Sequence, residues 1–243
     1  MGHRGPGDAI IQGFATGISD SVGSRVDFKI GTNADAYTID IYRTGRNPGL
    51  GARKVASVSP SASLPQNQPD CCNDMTTELV DCGNWGVSAS WNVPVDAVSG
   101  VYVAKLDWAE RDNQSHITFI VRDDSSQSDV AFQTSNPNGH AHNTYGGSSF
   151  DRGAANGRAH KVSYNRPFNT GGGIEARDFY FGSEHPQVRF LERNGYVVSY
   201  FSGVDTKRRG NLSTNHTAFL SVGTTITGPS SSGTTSKVRV IPG

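Results

Sequence analysis

The sequence predicts a mixed β and α/β fold: an N-terminal β-sandwich over residues 1–124, then the start of a parallel α/β layer over 125–223. Three observations predict it. Short segments of the first half alternate polar and apolar residues, the period of a half-buried strand. Glycine is abundant, 29 of 243 residues, and hydrophobic residues make up only 35%, which suits a turn-rich β protein better than a helical bundle. In the second half one amphipathic helical pattern lies between strand-like runs, the order of a parallel sheet.

The alternation is seen in SRVDFKI (24–30) and AYTIDIYRTG (36–45), and again in VSASWNVP (87–94), GVYVAKLDW (100–108) and SHITFIVRDD (115–124). Turn signals GTNAD, RNPGLG, PVDAVSG and ERDNQ separate them. Residues 57–84 are a long Pro/Ser/Asn-rich insertion, of a length expected to be functional or stapled. RDDSSQSD (122–129) reads as a linker, VAFQTS (130–135) as a strand, 136–158 as a Gly/Asn-rich stretch and HKVSYNRPF (160–168) as extended. SEHPQVRFLERNG (183–195) is the one good helix. Val188, Phe190 and Leu191 are assigned to its apolar face, Pro186 to an early turn, Ser183 to the cap and Gly195 to the stop. YVVSYFSG (196–203) and TAFLSVG (217–223) read as strands. Ligands in such sheets gather at the carboxyl ends of the strands. With three strands and one helix, this layer is expected to leave an apolar face uncovered.

Lysine plus arginine (22) balances aspartate plus glutamate (22), so the net charge is zero and nothing marks a nucleic acid or an anionic membrane as partner. No apolar run approaches the ~20 residues that span a bilayer, and the first residues lack the apolar core of a secretory signal. The default compartment is the cytoplasm, with export open if the N-terminus is incomplete. Cys71, Cys72 and Cys82 have no CxxC spacing and no nearby histidine, which argues against zinc. In an oxidising compartment Cys82 would bridge to Cys71 or Cys72; three ordinary thiols are the alternative. There is no nucleophile elbow, phosphate loop or dinucleotide fingerprint, and TGGGIEAR (170–177) reads as a loop.

IQGFATGIS, RVDFKI, YTIDIYRTG, GARKVA, SASLPQ, VDCGNW, SASWNVPVDAVSGVYVAKL, YGGSSF, KVSYNRPF, VDTKRRG and FLSVG follow one another from about Gly7 to Gly223. Together these blocks resemble the C-terminal domain of the N,N-dimethylformamidase large (beta) subunit-like family. The resemblance implies a β-sandwich joined to a layer similar to class I glutamine amidotransferases. It implies hydrolysis of a small amide C–N bond, with iron held by two tyrosines and a glutamate. In the family, the block matching FLSVG runs into a motif like HDEYW, whose acidic residue is the expected carboxylate ligand. Here TTITG follows instead (224–228). Plausible codons for His-Asp-Asp-Tyr-Trp, read one base late, give Thr-Thr-Ile-Thr-Gly. Residues 224–243 are therefore hypothesised to be an out-of-frame, disordered tail, and the chain a truncated enzyme without turnover. A gene sequence lacking HD[DE]YW one base away would refute this; a genuine tail is the alternative.

The best surviving site is NPNGHAHNTYGGSSF (136–150). By the resemblance, His142 stands where the family has its first tyrosine, Tyr145 matches the second aromatic position, and Phe150 replaces a final tyrosine. Tyr145, His142 and Tyr164 are thus the candidate metal ligands, although phenolate suits Fe(III) better than neutral imidazole does. His140 lies two residues before His142, and solvated loop histidines are the plain alternative. Arg166 is a candidate anion clamp on substrate, or else pairs with an acid. Tyr102 reads as structural. VDTKRRG (204–210), with Asp205, reads as a solvated basic loop. Two function classes follow: an amide hydrolase with a small amide substrate, or a non-catalytic module binding a glycan or protein through Trp85, Trp91 and Trp108, which otherwise belong to the core. Homo- or hetero-oligomerisation is open.

Overall fold

A computed structural model describes residues 10–47, 50–108, 113–169, 179–209, 215–221 and 238–239. In chain order the first strands are β1 (Ile11–Ala15), β2 (Ser19–Ser21), β3 (Arg25–Thr32), β4 (Thr38–Asn47) and β5 (Leu50–Val58). A small hairpin follows, β6 (Cys72–Asp74) and β7 (Leu79–Asp81), then β8 (Ala89–Asn92), β9 (Gly100–Trp108) and β10 (Asn113–Arg122). The remaining elements are β11 (Val130–Gln133), α1 (Asn136–His142), α2 (Tyr180–Ser183), α3 (His185–Arg193), β12 (Val198–Phe201), α4 (Gly203–Arg208), β13 (Ala218–Ser221) and β14 (Val238–Arg239).

Two sheets share the main core. One has the order β1-β3-β8 and is antiparallel; the other has the order β2-β10-β9-β4-β5, with only β2 parallel to its neighbour. Period-two alternation explains how they meet. In β3 the side chains of Val26, Phe28 and Ile30 are buried, while those between them are partly exposed. These meet Ile39, Ile41, Tyr102, Leu106, Ile117 and Phe119 of the larger sheet in one apolar cluster. Trp91, Tyr102 and Phe119 stack within it at centroid distances of 5.7–6.0 Å.

The larger sheet has a second buried face. Val101 and Ile120, a cross-strand pair, point away from that cluster. They pack on Val130, Phe132, Tyr180, Val188, Val198 and Tyr200 of the second half. The third sheet has the order β12-β11-β13-β14, with β11 parallel to both β12 and β13 and β14 antiparallel at the edge. Every residue of β11 and β12 is buried, and β9 and β10 cover the face that carries Val130, Phe132, Val198 and Tyr200, which corrects the expectation that this face is left open; β13 is only partly buried.

Other expectations need correction. RDDSSQSD connects β10 to β11 and is held by side-chain bonds. Arg122 donates to Asp124 (2.9 Å) and Asp205 (2.8 Å), and Ser199 joins Ser126 (2.7 Å) and Ser128 (2.9 Å), so both ends of the segment are pinned. Residues 160–168 form no strand. Ser183 belongs to α2 and bonds back to the Phe179 carbonyl, so it does not cap α3. Phe190 is 64% exposed, because two residues around a helix from Val188 is the opposite face; Val188 and Leu191, three apart, form the packed stripe. Gly195 does end the helix region, at φ 84°. VDTKRRG begins as α4. Ser202 and Asp205 form a reciprocal capping box at its start, which leaves Asp205 buried.

The proposed tail at 224–243 lies outside the described residues except for 238–239. Those two pair with β13, Leu220 opposite Val238. TGGGIEAR (170–177) is also outside them. No helix among the described residues is long and apolar enough to cross a membrane.

Candidate active site

The loop after β11 leaves the carboxyl end of the parallel sheet, and Arg166 shapes it. This side chain is 1% exposed. Its Nη1 donates to the carbonyls of Tyr145 (3.0 Å) and Ser148 (2.9 Å), and its Nη2 to those of His140 (3.1 Å) and Asn143 (2.9 Å). A planar guanidinium suits such multiple recognition. Burial without a carboxylate partner pushes its pKa down to about 10. The Asn143 amide adds a bond to the Pro167 carbonyl (3.0 Å). Gly146 completes the bend at φ 77°, and a Cβ there would meet Val80 at 2.6 Å, so both conformation and space require glycine.

The long insertion leans on the same loop. Cys71 and Cys82 are joined by a disulfide, and Cys72 is exposed and free. Glu78 accepts from Ser148 Oγ (3.1 Å) and from the backbone N–H groups of Ala154, Ala155 and Asn156 (2.7, 2.8 and 2.5 Å). These N–H bonds, that of Asn156 foremost, hold its carboxyl below the usual range.

Behind this loop lies a cavity of about 40 Å³, lined by residues that include His116, Asn136, His140, Tyr180 and Glu184. A second one, of about 30 Å³, shares His116, Asn136 and His140 with it and is also lined by Tyr164 and Arg166. Glu184, at the α2–α3 junction, is 4% exposed and accepts a short hydrogen bond from the Ser135 N–H at the end of β11. Burial pushes its pKa up to about 7, against the lowering effect of Ser135. Burial pushes His116 down to about 4. Burial, and then the charge of Arg166, pushes His140 down to about 3. Both imidazoles are therefore neutral at pH 7, and the Nδ1 atom of each is buried without a hydrogen-bond partner. The arrangement places a carboxyl group that titrates near neutrality beside two neutral bases in a low-dielectric seat, a composition suited to acid–base work or to holding a small polar guest.

The residues singled out from sequence do not converge. His142 bonds through Nδ1 to Asp151 on the surface. Tyr145 packs with Phe14, Val80, Cys82 and Trp85, and burial raises its pKa. Tyr164 stacks edge-on against His140 at 4.5 Å, and burial pushes its hydroxyl up to about 12. Tyr145 and Tyr164 line different cavities. With His142 on the surface and the two tyrosines in separate cavities, these three side chains do not form a common donor set. Among the described residues no group of three or more His, Cys, Asp or Glu is arranged to hold a metal. Arg166 is a loop-holding residue and not a free anion clamp, since its terminal nitrogens are on carbonyls. Trp85, Trp91 and Trp108 are 7–8% exposed and belong to apolar clusters.

Glu184, Glu78 and His116 were not singled out from sequence. His116 and Thr118 share the β10 face that carries Ile120, and a polar pair on a strand face directed at a second layer is a readable signal of a buried polar seat. Glu184 carries no local signal: it precedes a helix whose partner, Ser135, is 49 residues away.

A family model described as N,N-dimethylformamidase beta subunit-like, C-terminal, matches residues 38–224. A search of curated proteins finds no match.

Proposed function

This chain belongs to the N,N-dimethylformamidase beta subunit-like, C-terminal family, and from that premise we propose that it derives from a hydrolase of small amide C–N bonds and is inactive as it stands. The family match is the observation that carries the reading. In it, the two sheets that share the main core are the family's β-sandwich, and the β11–β13 sheet is the start of its amidotransferase-like layer. The cavity at the end of β11 agrees with the rule that parallel sheets seat ligands at their carboxyl edge. Iron is the metal this relation implies. The described residues do not assemble a donor set for it. The proposed source of the carboxylate ligand is an HDEYW-like segment after Gly223, outside the described residues.

The test is paired. The chain as given, purified and assayed with N,N-dimethylformamide and other small amides, is expected to hold iron well below one equivalent and to show no turnover. A variant carrying His-Asp-Glu-Tyr-Trp and the following family helix after Gly223 is expected to gain both. Stoichiometric iron with turnover in the unaltered chain overturns the inactivity. Failure of the restored chain to cleave any small amide overturns the hydrolase reading.

A second reading, a glycan-binding module, is favoured by one observation. An open depression is lined by Gln12, Asn33, Asn67, Gln68, Trp85 and Tyr145, a mixture of amides and aromatic rings. Titration with oligosaccharides decides it: saturable binding lost in Tyr145→Ala supports it, and no binding ends it.

A further inference from the structure

We propose that the cavity formed by Glu184, His116, His140 and Tyr180 is a binding site for a small ammonium ion, either ammonium itself or methylammonium.

The argument begins with a charge imbalance. A buried carboxylate is strongly disfavoured unless paired with a cation or neutralised by a proton. Glu184 is 4% exposed, and among the described residues no lysine or arginine pairs with it. Its one strong partner is the neutral Ser135 N–H. Near pH 7 it is held between protonation and ionisation. A guest cation can replace that proton beside the neutral His116 imidazole, with the fixed charge of Arg166 confined to the lining of the adjoining cavity.

The walls select the kind of cation. Each imidazole has a buried Nδ1 without a partner, so the seat has unused hydrogen-bonding capacity. The rings of Phe168, Phe179 and Tyr180 also line it. Aromatic faces attract alkylammonium ions. The Tyr180 hydroxyl is already engaged with Thr44 Oγ1, so that residue offers its ring to the cavity. A metal ion fits less well, since among the described residues no His, Cys, Asp or Glu group closes around one. The volume of about 40 Å³ is room for roughly three waters at the ~10–15 Å³ that each needs, which limits the guest to about three heavy atoms. The inference stands on the cavity alone and does not require that the chain hydrolyse anything.

Three titratable groups face Glu184 across the cavity: His116 from β10, His140 from α1 and Tyr180 from α2. Arg166 lines only the adjoining space. His116 stays neutral and Tyr180, its hydroxyl raised by burial, stays un-ionised from pH 6 to 8, so Glu184 sets the pH dependence in that range.

The experiment is calorimetric titration of the full chain with methylammonium chloride, at constant ionic strength, at pH 8 and pH 6. Saturable binding is expected at pH 8, about tenfold weaker at pH 6, and lost by at least tenfold in Glu184→Gln. If Glu184→Gln fails to fold, the wild-type pH dependence and two competitors still decide the matter. Tetramethylammonium, too large for the seat, is expected not to compete. Equal competition by potassium, binding of formate in place of methylammonium, or no saturable methylammonium binding at either pH overturns the proposal.

Discussion

Arg43 Nη2 lies 2.8 Å from Glu192 Oε1 and joins β4 to α3, residues 149 apart in the chain. Each side chain is 13% exposed. The same carboxylate accepts from the Tyr200 hydroxyl (3.0 Å) and the Arg46 N–H (2.7 Å), while Arg43 also donates to the Ser99 carbonyl (2.8 Å). Glu192→Ala strands a nearly buried guanidinium, which costs roughly 3–5 kcal/mol. Glu192→Gln keeps the acceptor oxygen and is expected to cost less. Urea unfolding of both variants checks the order.

Arg166→Lys is expected to behave as a severe change. One ammonium cannot reach the four carbonyls that the guanidinium fork holds. The loss is put at about 2–3 kcal/mol, from carbonyls left buried without donors. Hydrogen exchange confined to 140–148 would rise before global unfolding does.

Stability should change with pH through three groups at the cavity. Below a pH of about 4.5 the Glu184 proton is on both the folded and unfolded chains; between there and about 7 only the folded chain keeps it. Raising the pH through that window therefore lowers stability, by about 3 kcal/mol at the ~1.4 kcal/mol of each pKa unit. The histidines act the opposite way. Their pKa values fall from 6.5 to about 4 and about 3 on folding, so their contribution is full above 6.5 and lost as the pH drops toward those values. Denaturant midpoints from pH 4 to 8 measure both limbs. Glu184→Gln should flatten the loss above pH 5, and His140→Gln should reduce the loss below 6.

The Cys71–Cys82 link closes a short loop, with the partners 11 residues apart. Cys72 is exposed, so oxidised native protein should show one reactive thiol and reduced, unfolded protein three. Cys82→Ser is expected to cost about 2–3 kcal/mol, since closing a loop of this size restricts the unfolded chain by that order. Thiol counting and thermal unfolding in parallel test it.

The strands were legible because they repeat a simple signal. Alternation placed β3, β4, β9 and β10 within a few residues of their observed ends, and Tyr102, read as structural on one of them, lies in the core. The site was less legible for a physical reason: its parts are distant in sequence. Ser135 and Glu184 are 49 residues apart and Glu78 and Asn156 are 78 apart, and no local pattern encodes such pairs. Two misreadings were avoidable. The S-x-x-D spacing of Ser202 and Asp205 encodes a capped helix ahead of the basic Lys207–Arg208–Arg209 run. Phe190 was assigned to the α3 apolar face against the 3.6-residue period.

Asp205 links two processes that are usually separate. One carboxylate oxygen bonds to the N–H and hydroxyl of Ser202, and the other meets Arg122 at 2.8 Å. Arg122 in turn reaches Ser19 and Ser21 of β2. Fraying of α4 and detachment of the β2 edge strand thus become one cooperative event: neither can open without disturbing the other, and their amide protection should rise and fall as a single unit.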